Sequence, residues 1–75
     1  MKITIVSAFH ITRKPEYNSV EKPELEGKTA TSFRGIAKFL TEGDSVTVQV
    51  GDRGYKNVSI EDGLLYVQRI YAFEY

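Results

Sequence analysis

Residues 64–75 read LLYVQRIYAFEY, a run without glycine or proline that is rich in Leu, Val, Ile, Tyr and Phe. Such side chains suit a pleated, packed surface, so the run predicts one long strand over 64–74. Leu65, Val67, Arg69, Tyr71 and Phe73 fall on one face, and Leu64, Tyr66, Gln68, Ile70 and Ala72 on the other. Neither face is wholly polar. That pattern places the strand inside a sheet rather than at its edge.

The segment before it has a clean period of two. Val46, Val48 and Val50 alternate with Ser45, Thr47 and Gln49, which predicts a strand over 45–50 buried on one face. Asp52-Arg53-Gly54 suits a three-residue hairpin loop, a further strand spans 55–60, and Asp62-Gly63 is a two-residue hairpin signal. With 62–63 as the loop, Ile60 opposes Leu65, Val58 opposes Val67, and Lys56 opposes Arg69 at the rim. With 52–54 as the loop, Val48 opposes Val58 and Val46 opposes Ile60. Both turns put the same apolar rows on one face. The other face then carries Tyr55 opposite Ile70, Asn57 opposite Gln68, and Ser59 opposite Tyr66.

Residues 2–12 predict another strand. Ile3, Ile5, Phe9 and Ile11 share one face, interrupted by Ser7, which marks either a bulge or a side chain bonded to nearby backbone. Residues 32–42 predict the one helix, because Phe33, Ile36, Ala37 and Leu40 follow the i, i+3, i+4, i+7 spacing of a single apolar stripe. Thr31 or Ser32 is placed to cap it, and Gly43 to stop it. Gly35 costs helix stability, which implies close packing of its backbone. Between the first strand and the helix, residues 13–28 hold Pro15, Pro23 and a high density of charge. This stretch reads as a solvated connector, with residues 24–30 the place for an additional short strand.

These elements describe a single α+β domain over 1–75: one helix on a mainly antiparallel sheet of four to five strands, ending in a three-strand meander. The first strand belongs beside the last or beside 45–50. One helix with a four-residue stripe covers only one face of such a sheet, and the valine face is the one it suits. Tyr55, Tyr66, Gln68 and Ile70, with Thr47 and Ser59, are left for solvent or a partner.

Composition narrows the function more by exclusion than by assignment. A chain of 75 residues buries only about 60% of its unfolded surface, so its margin of stability is thin. Cysteine is absent and a single histidine cannot build a zinc site, which leaves association as the available remedy. Ten basic and ten acidic side chains cancel, so no general attraction to nucleic acid operates. No apolar run is long enough to span a membrane and no secretory cleavage pattern follows the first apolar segment, from which a cytoplasmic protein is expected.

Chemical motifs are few. Gly27-Lys28-Thr29 ends like a phosphate-binding loop but lacks the first glycine of that loop. Asn57-Val58-Ser59 has glycosylation spacing in mid-strand, without a secretory signal. His10 sits on the outward face of its predicted strand with no orienting Ser or Asp that the sequence reveals, so a structural histidine is expected. Neither acidic cluster has the spacing of a calcium loop. The expectation is no enzyme, no metal, no cofactor and no small-molecule substrate.

Two binding readings remain. The first is recognition of a protein, or self-association, through Tyr55, Tyr66, Gln68 and Ile70, a mixture of large amphipathic side chains and hydrogen-bonding groups that interfaces favour. Arg34 and Lys38, four apart on the helix and facing away from its stripe, offer a second surface. The alternative is single-stranded nucleic acid stacked on the sheet aromatics. It ranks lower because acidic and basic residues are interleaved and no aromatic RNA-binding motif occurs in the strands. A small structural subunit or homodimer is a third option. In size, neutrality and lack of a catalytic cluster the chain is similar to accessory proteins of phages and mobile elements, anti-CRISPR proteins among them. That similarity of kind implies an inhibitor occupying a surface of a host complex, and it carries over no particular residue.

Overall fold

The computed structural model describes residues 1–69. Its strands are β1 (Ile3–Thr12), β2 (Asn18–Glu21), β3 (Thr29–Ala30), β4 (Asp44–Val50), β5 (Tyr55–Glu61) and β6 (Leu64–Arg69), and its one helix is α1 (Phe33–Ala37). All pairings are antiparallel. The order across the sheet is β2-β1-β4-β5-β6, with β3 also on β1. The α+β expectation holds in this form: a six-stranded sheet with one very short helix. The first strand lies beside 44–50, one of its two expected places.

The core occupies one face. Ile3 and Ile5 of β1, Val46, Val48 and Val50 of β4 and Val58 of β5 are buried there under Ile36, Leu40 and Leu25. Alternation accounts for β4, and the helix stripe for its cover: Ile36 and Leu40 are buried, with Phe33 packed against them. Ser32 caps the helix, its Oγ accepting from the Gly35 N–H at 3.0 Å. Gly35 packs closely, as expected of a glycine kept inside a helix, since a Cβ there would stand 2.9 Å from the Ala30 Cβ.

The helix stops well short of residue 42. After Ala37 the hydrogen bonds tighten to the i−3 carbonyl, Phe39 N–H to Ile36 O and Leu40 N–H to Ala37 O, both at 3.0 Å. The chain then turns at once, with Asp44 N–H bonded to Thr41 O at 3.0 Å, so that residue 44 can begin β4. Gly43 is left-handed as expected (φ 90°), but in this turn rather than at the helix end.

Residues 13–28 are more than a connector. β2 pairs with Phe9–Thr12 of β1, a 3-10 turn at Pro23–Leu25 buries Leu25, and β3 pairs with Ile3 and Thr4. Between them Lys22 N–H bonds Ala8 O and Gly27 N–H bonds Ile5 O, so this segment seals the outer edge of β1. Its charge density hid that role, because an edge strand needs few apolar residues.

Three further expectations need correction. A bulge between Ile5 and Ser7 shifts the face of β1, so Ala8 is buried, Phe9 is 37% exposed on the opposite side, and His10 turns toward the core face. In the β4–β5 hairpin Gly51 takes φ 53° and the turn begins one residue earlier, which pairs Val46 with Val58 and Val48 with Lys56. The slip is two residues, so the rows keep their faces. Finally, β6 has β5 as its neighbour and ends the sheet among the described residues, contrary to the interior position expected of it. Its register follows the Asp62-Gly63 turn as expected, with Ile60 opposite Leu65, Val58 opposite Val67 and Ser59 opposite Tyr66. Ile70 and the continuation of this strand to 74 lie outside the described residues.

Candidate functional site

The face away from α1 has no element of the described residues packed on it. Alternation from the bulge onward sends Ser7 and Phe9 there, together with Ser45, Thr47, Gln49, Tyr55, Asn57, Ser59, Tyr66 and Gln68. None of these is fully buried, and none is ionised. Asn57 anchors the middle of the face to its own sheet, donating through Nδ2 to Ser45 Oγ at 2.9 Å and to Val46 O at 3.1 Å. The result is a surface whose centre carries uncharged hydroxyl, amide and aromatic groups, with Glu21 opposite Phe9 and Glu61 opposite Leu64 at its margins.

Of the residues assigned to this face from the sequence, Tyr66 and Gln68 are exposed and adjacent in space to Ser59 and Asn57, and Tyr55 lies on the same face, 37% exposed. Ile70 lies outside the described residues. Arg34 and Lys38 are exposed on α1, on the other side of the sheet. The five described residues therefore belong to two surfaces, and no single flat contact spans both.

At one end of the open face lies a concavity of about 980 Å³, bordered by His10, Arg13, Glu42, Asn57, Tyr66 and Gln68. It is open rather than enclosed, so it does not surround a small molecule as ligand pockets do. Arg13 Nη2 reaches Glu61 Oε2 at 3.3 Å along its rim, an exposed pair of small energetic weight. Glu42 fixes the neighbouring hairpin, its carboxylate accepting from the N–H groups of Asp62 (2.6 Å) and Gly63 (2.9 Å).

The concavity ends at a buried carboxylate. Asp44 has no solvent exposure and accepts from His10 Nδ1 (2.8 Å), Lys22 Nζ (2.7 Å), Thr41 N–H (2.8 Å) and Thr41 Oγ1 (3.2 Å). Burial alone raises the pKa of this carboxyl, but Lys22, the Thr41 amide and His10 outweigh it and hold the group below its ordinary value. Both carboxylate oxygens are hydrogen-bonded, one to His10 and the other to Lys22 and Thr41, which is how a buried charge is tolerated. An aspartate on Nδ1 of a histidine is also the orienting half of a catalytic dyad. The contacts shown tie three chain segments together, β1 through His10, the exit of β2 through Lys22 and the turn before β4 through Thr41.

Sequence reasoning missed Asp44, Lys22, Thr41 and Glu42. One signal was present: Asp44 occupies the same alternation row as Val46, Val48 and Val50, and a charged residue on a core row demands partners. The other half, His10, was assigned to the wrong face because the β1 bulge shifts parity. Comparison with known proteins adds no relative: no family model, no curated protein and no solved structure matches the chain.

Proposed function

We propose that the protein is a small non-enzymatic binding domain whose open sheet face recognises another protein. In biological terms this reading is of a cytoplasmic inhibitor that occupies a surface of a host complex, as accessory proteins of phages and mobile elements do. The observation that carries it is the composition at the centre of the open face: Phe9, Tyr55 and Tyr66 stand among serine, threonine, asparagine and glutamine, and the residues of 45–49, 55–59 and 64–68 that alternate onto that face include no lysine, arginine or carboxylate. Aromatic area interleaved with neutral hydrogen-bonding groups is the chemistry of a protein interface core. The same lack of cations weighs against single-stranded nucleic acid, whose phosphates supply most of the affinity in such complexes.

The test is parallel affinity capture with the wild-type chain, Ser59→Arg and Tyr66→Ala on the open face, and Arg34→Glu/Lys38→Glu on the helix side. A protein retained by the wild type and the helix-side variant but lost from both face variants supports the reading. Retention by both face variants overturns it. A salt-sensitive gel shift with single-stranded oligonucleotides would favour the alternative instead.

A further inference from the structure

The two edges of the sheet are built on opposite principles. At one edge β2 has four residues, NSVE, all exposed, and Pro15 and Pro23 flank it in sequence. Short length, charge and nearby prolines are the means by which proteins stop an edge from pairing. At the other edge β6 keeps one of them, the charge of Arg69 at its end. Its residues 64–68 include no charge, proline, glycine or bulge, and four consecutive apolar side chains are exposed: Leu64 58%, Leu65 39%, Tyr66 39% and Val67 40%. Leu65 and Val67 are on the same face as the buried Val58, beyond the reach of α1, so the apolar row of the core runs out to this edge uncovered. An edge of this kind is a template for another strand.

We infer that the chain forms a twofold dimer by pairing β6 antiparallel with β6 of a second copy, centred on Tyr66. Twofold pairing about an axis normal to the sheet keeps like faces together, so the centre must fall on a residue. Centred on Tyr66, Leu65 opposes Val67 of the second copy twice, Leu64 opposes Gln68 twice, and Tyr66 opposes its own copy. The core row Val46, Val58, Val67 then continues through Leu65 and Ile60 of the second copy. Centring on Val67 would set Leu65 against Arg69, and centring on Leu65 would shorten the overlap. The second copy fits on charge as well: formal net charge is zero, so two copies carry no mutual repulsion to offset. Both open faces lie on one side of the joined sheet, which doubles the platform without requiring that it have a partner.

Two measurements on the full chain decide it. Sedimentation equilibrium should give a mass near twice 8.5 kDa at about 100 μM that falls toward 8.5 kDa on dilution, as expected of a small interface. A monomer throughout overturns the pairing and leaves the face reading intact. Because the chain has no cysteine, Tyr66→Cys places the only thiols opposite each other at the twofold axis, where directly opposed Cβ atoms come within about 5 Å. Under mild oxidation this variant should form a covalent dimer at least tenfold faster than Val20→Cys on the β2 edge. Equal rates overturn the assignment to β6, whatever the mass. Ser59→Arg should remain dimeric even where it loses a captured protein, which separates the two proposals.

Discussion

Asp44 Oδ1 accepts a 2.8 Å hydrogen bond from His10 Nδ1 across the β1–β4 pair, while Oδ2 of the same buried carboxylate takes Lys22 Nζ at 2.7 Å and the Thr41 N–H at 2.8 Å. One side chain thereby joins the end of β1, the exit of β2 and the turn that feeds β4. In a chain with no disulfide, this polar knot closes the end of the sheet that the helix does not reach.

Removing the carboxylate should be costly. Asp44→Asn leaves the Lys22 ammonium without its counter-charge and is expected to destabilise the fold by about 3 kcal/mol, the scale for breaking a buried pair. Urea unfolding at pH 7 measures it. The sign with pH follows from the lowered pKa: the folded state binds the proton less readily than the unfolded chain. The stabilisation is therefore complete above the ordinary aspartate value of 3.8 and is lost as pH falls through the lower folded value. The gap between wild type and Asp44→Asn should narrow below pH 4. A gap that stays constant to pH 2 would show that the carboxylate charge contributes nothing.

Gly35 separates propensity from packing. In an open helix Gly→Ala gains up to about 1 kcal/mol. Here the new Cβ would meet the Ala30 Cβ at 2.9 Å, a rigid methyl that cannot swing away. Gly35→Ala should therefore destabilise, by about 1 kcal/mol net of the helix gain. Combining it with Ala30→Gly should give a smaller loss than the sum of the two single changes, measured as a double-mutant cycle by thermal unfolding.

Glu42 acts on a hairpin twenty residues away in sequence. Its carboxylate accepts from the Asp62 and Gly63 amides in the turn where Asp62 holds φ 55°. Glu42→Ala should cost about 1 kcal/mol, the contact being exposed. Amide exchange at Asp62 and Gly63 should quicken while that of Val46 and Val58 changes only by the global loss. Equal acceleration everywhere would mean the contact has no local role.

How much of this was legible in the sequence depended on whether one local signal settled the matter. The β5–β6 register was, because Asp62-Gly63 and the Val58, Ile60, Leu65, Val67 alternation point to the same answer. The β4–β5 register was not, because Gly51 and Gly54 both permit a left-handed turn and the two choices keep every face. The bulge in β1 moved His10 from one face to the other, and with it the partner of Asp44. On the open face, Tyr66 and Gln68 were legible from parity alone. The exposed edge was misread because an apolar strand ordinarily signals an interior one. For β6 the same apolarity is instead what motivates the proposed pairing.

Gly43 and Gly51 both adopt positive φ, 90° and 53°, yet they should respond differently to the same substitution. Asparagine tolerates the left-handed region better than other non-glycine residues, so a site that needs only the backbone angle accepts it at little cost. Gly51 has nothing within 4 Å of a built Cβ, and Gly51→Asn is expected to stay within about 0.5 kcal/mol of wild type. At Gly43 the Cβ would fall 2.8 Å from the Ile11 carbonyl oxygen and 3.1 Å from the His10 ring. The backbone there is bonded on both sides, Ile11 N–H to Gly43 O at 2.8 Å and Gly43 N–H to Ile60 O at 2.9 Å, so it cannot withdraw. Gly43→Asn should cost at least about 2 kcal/mol and disturb the His10 ring, seen as a shift of its imidazole proton resonances. Equal tolerance at the two positions would show that β1 gives way at this end, and that the Asp44 knot is looser than its distances imply.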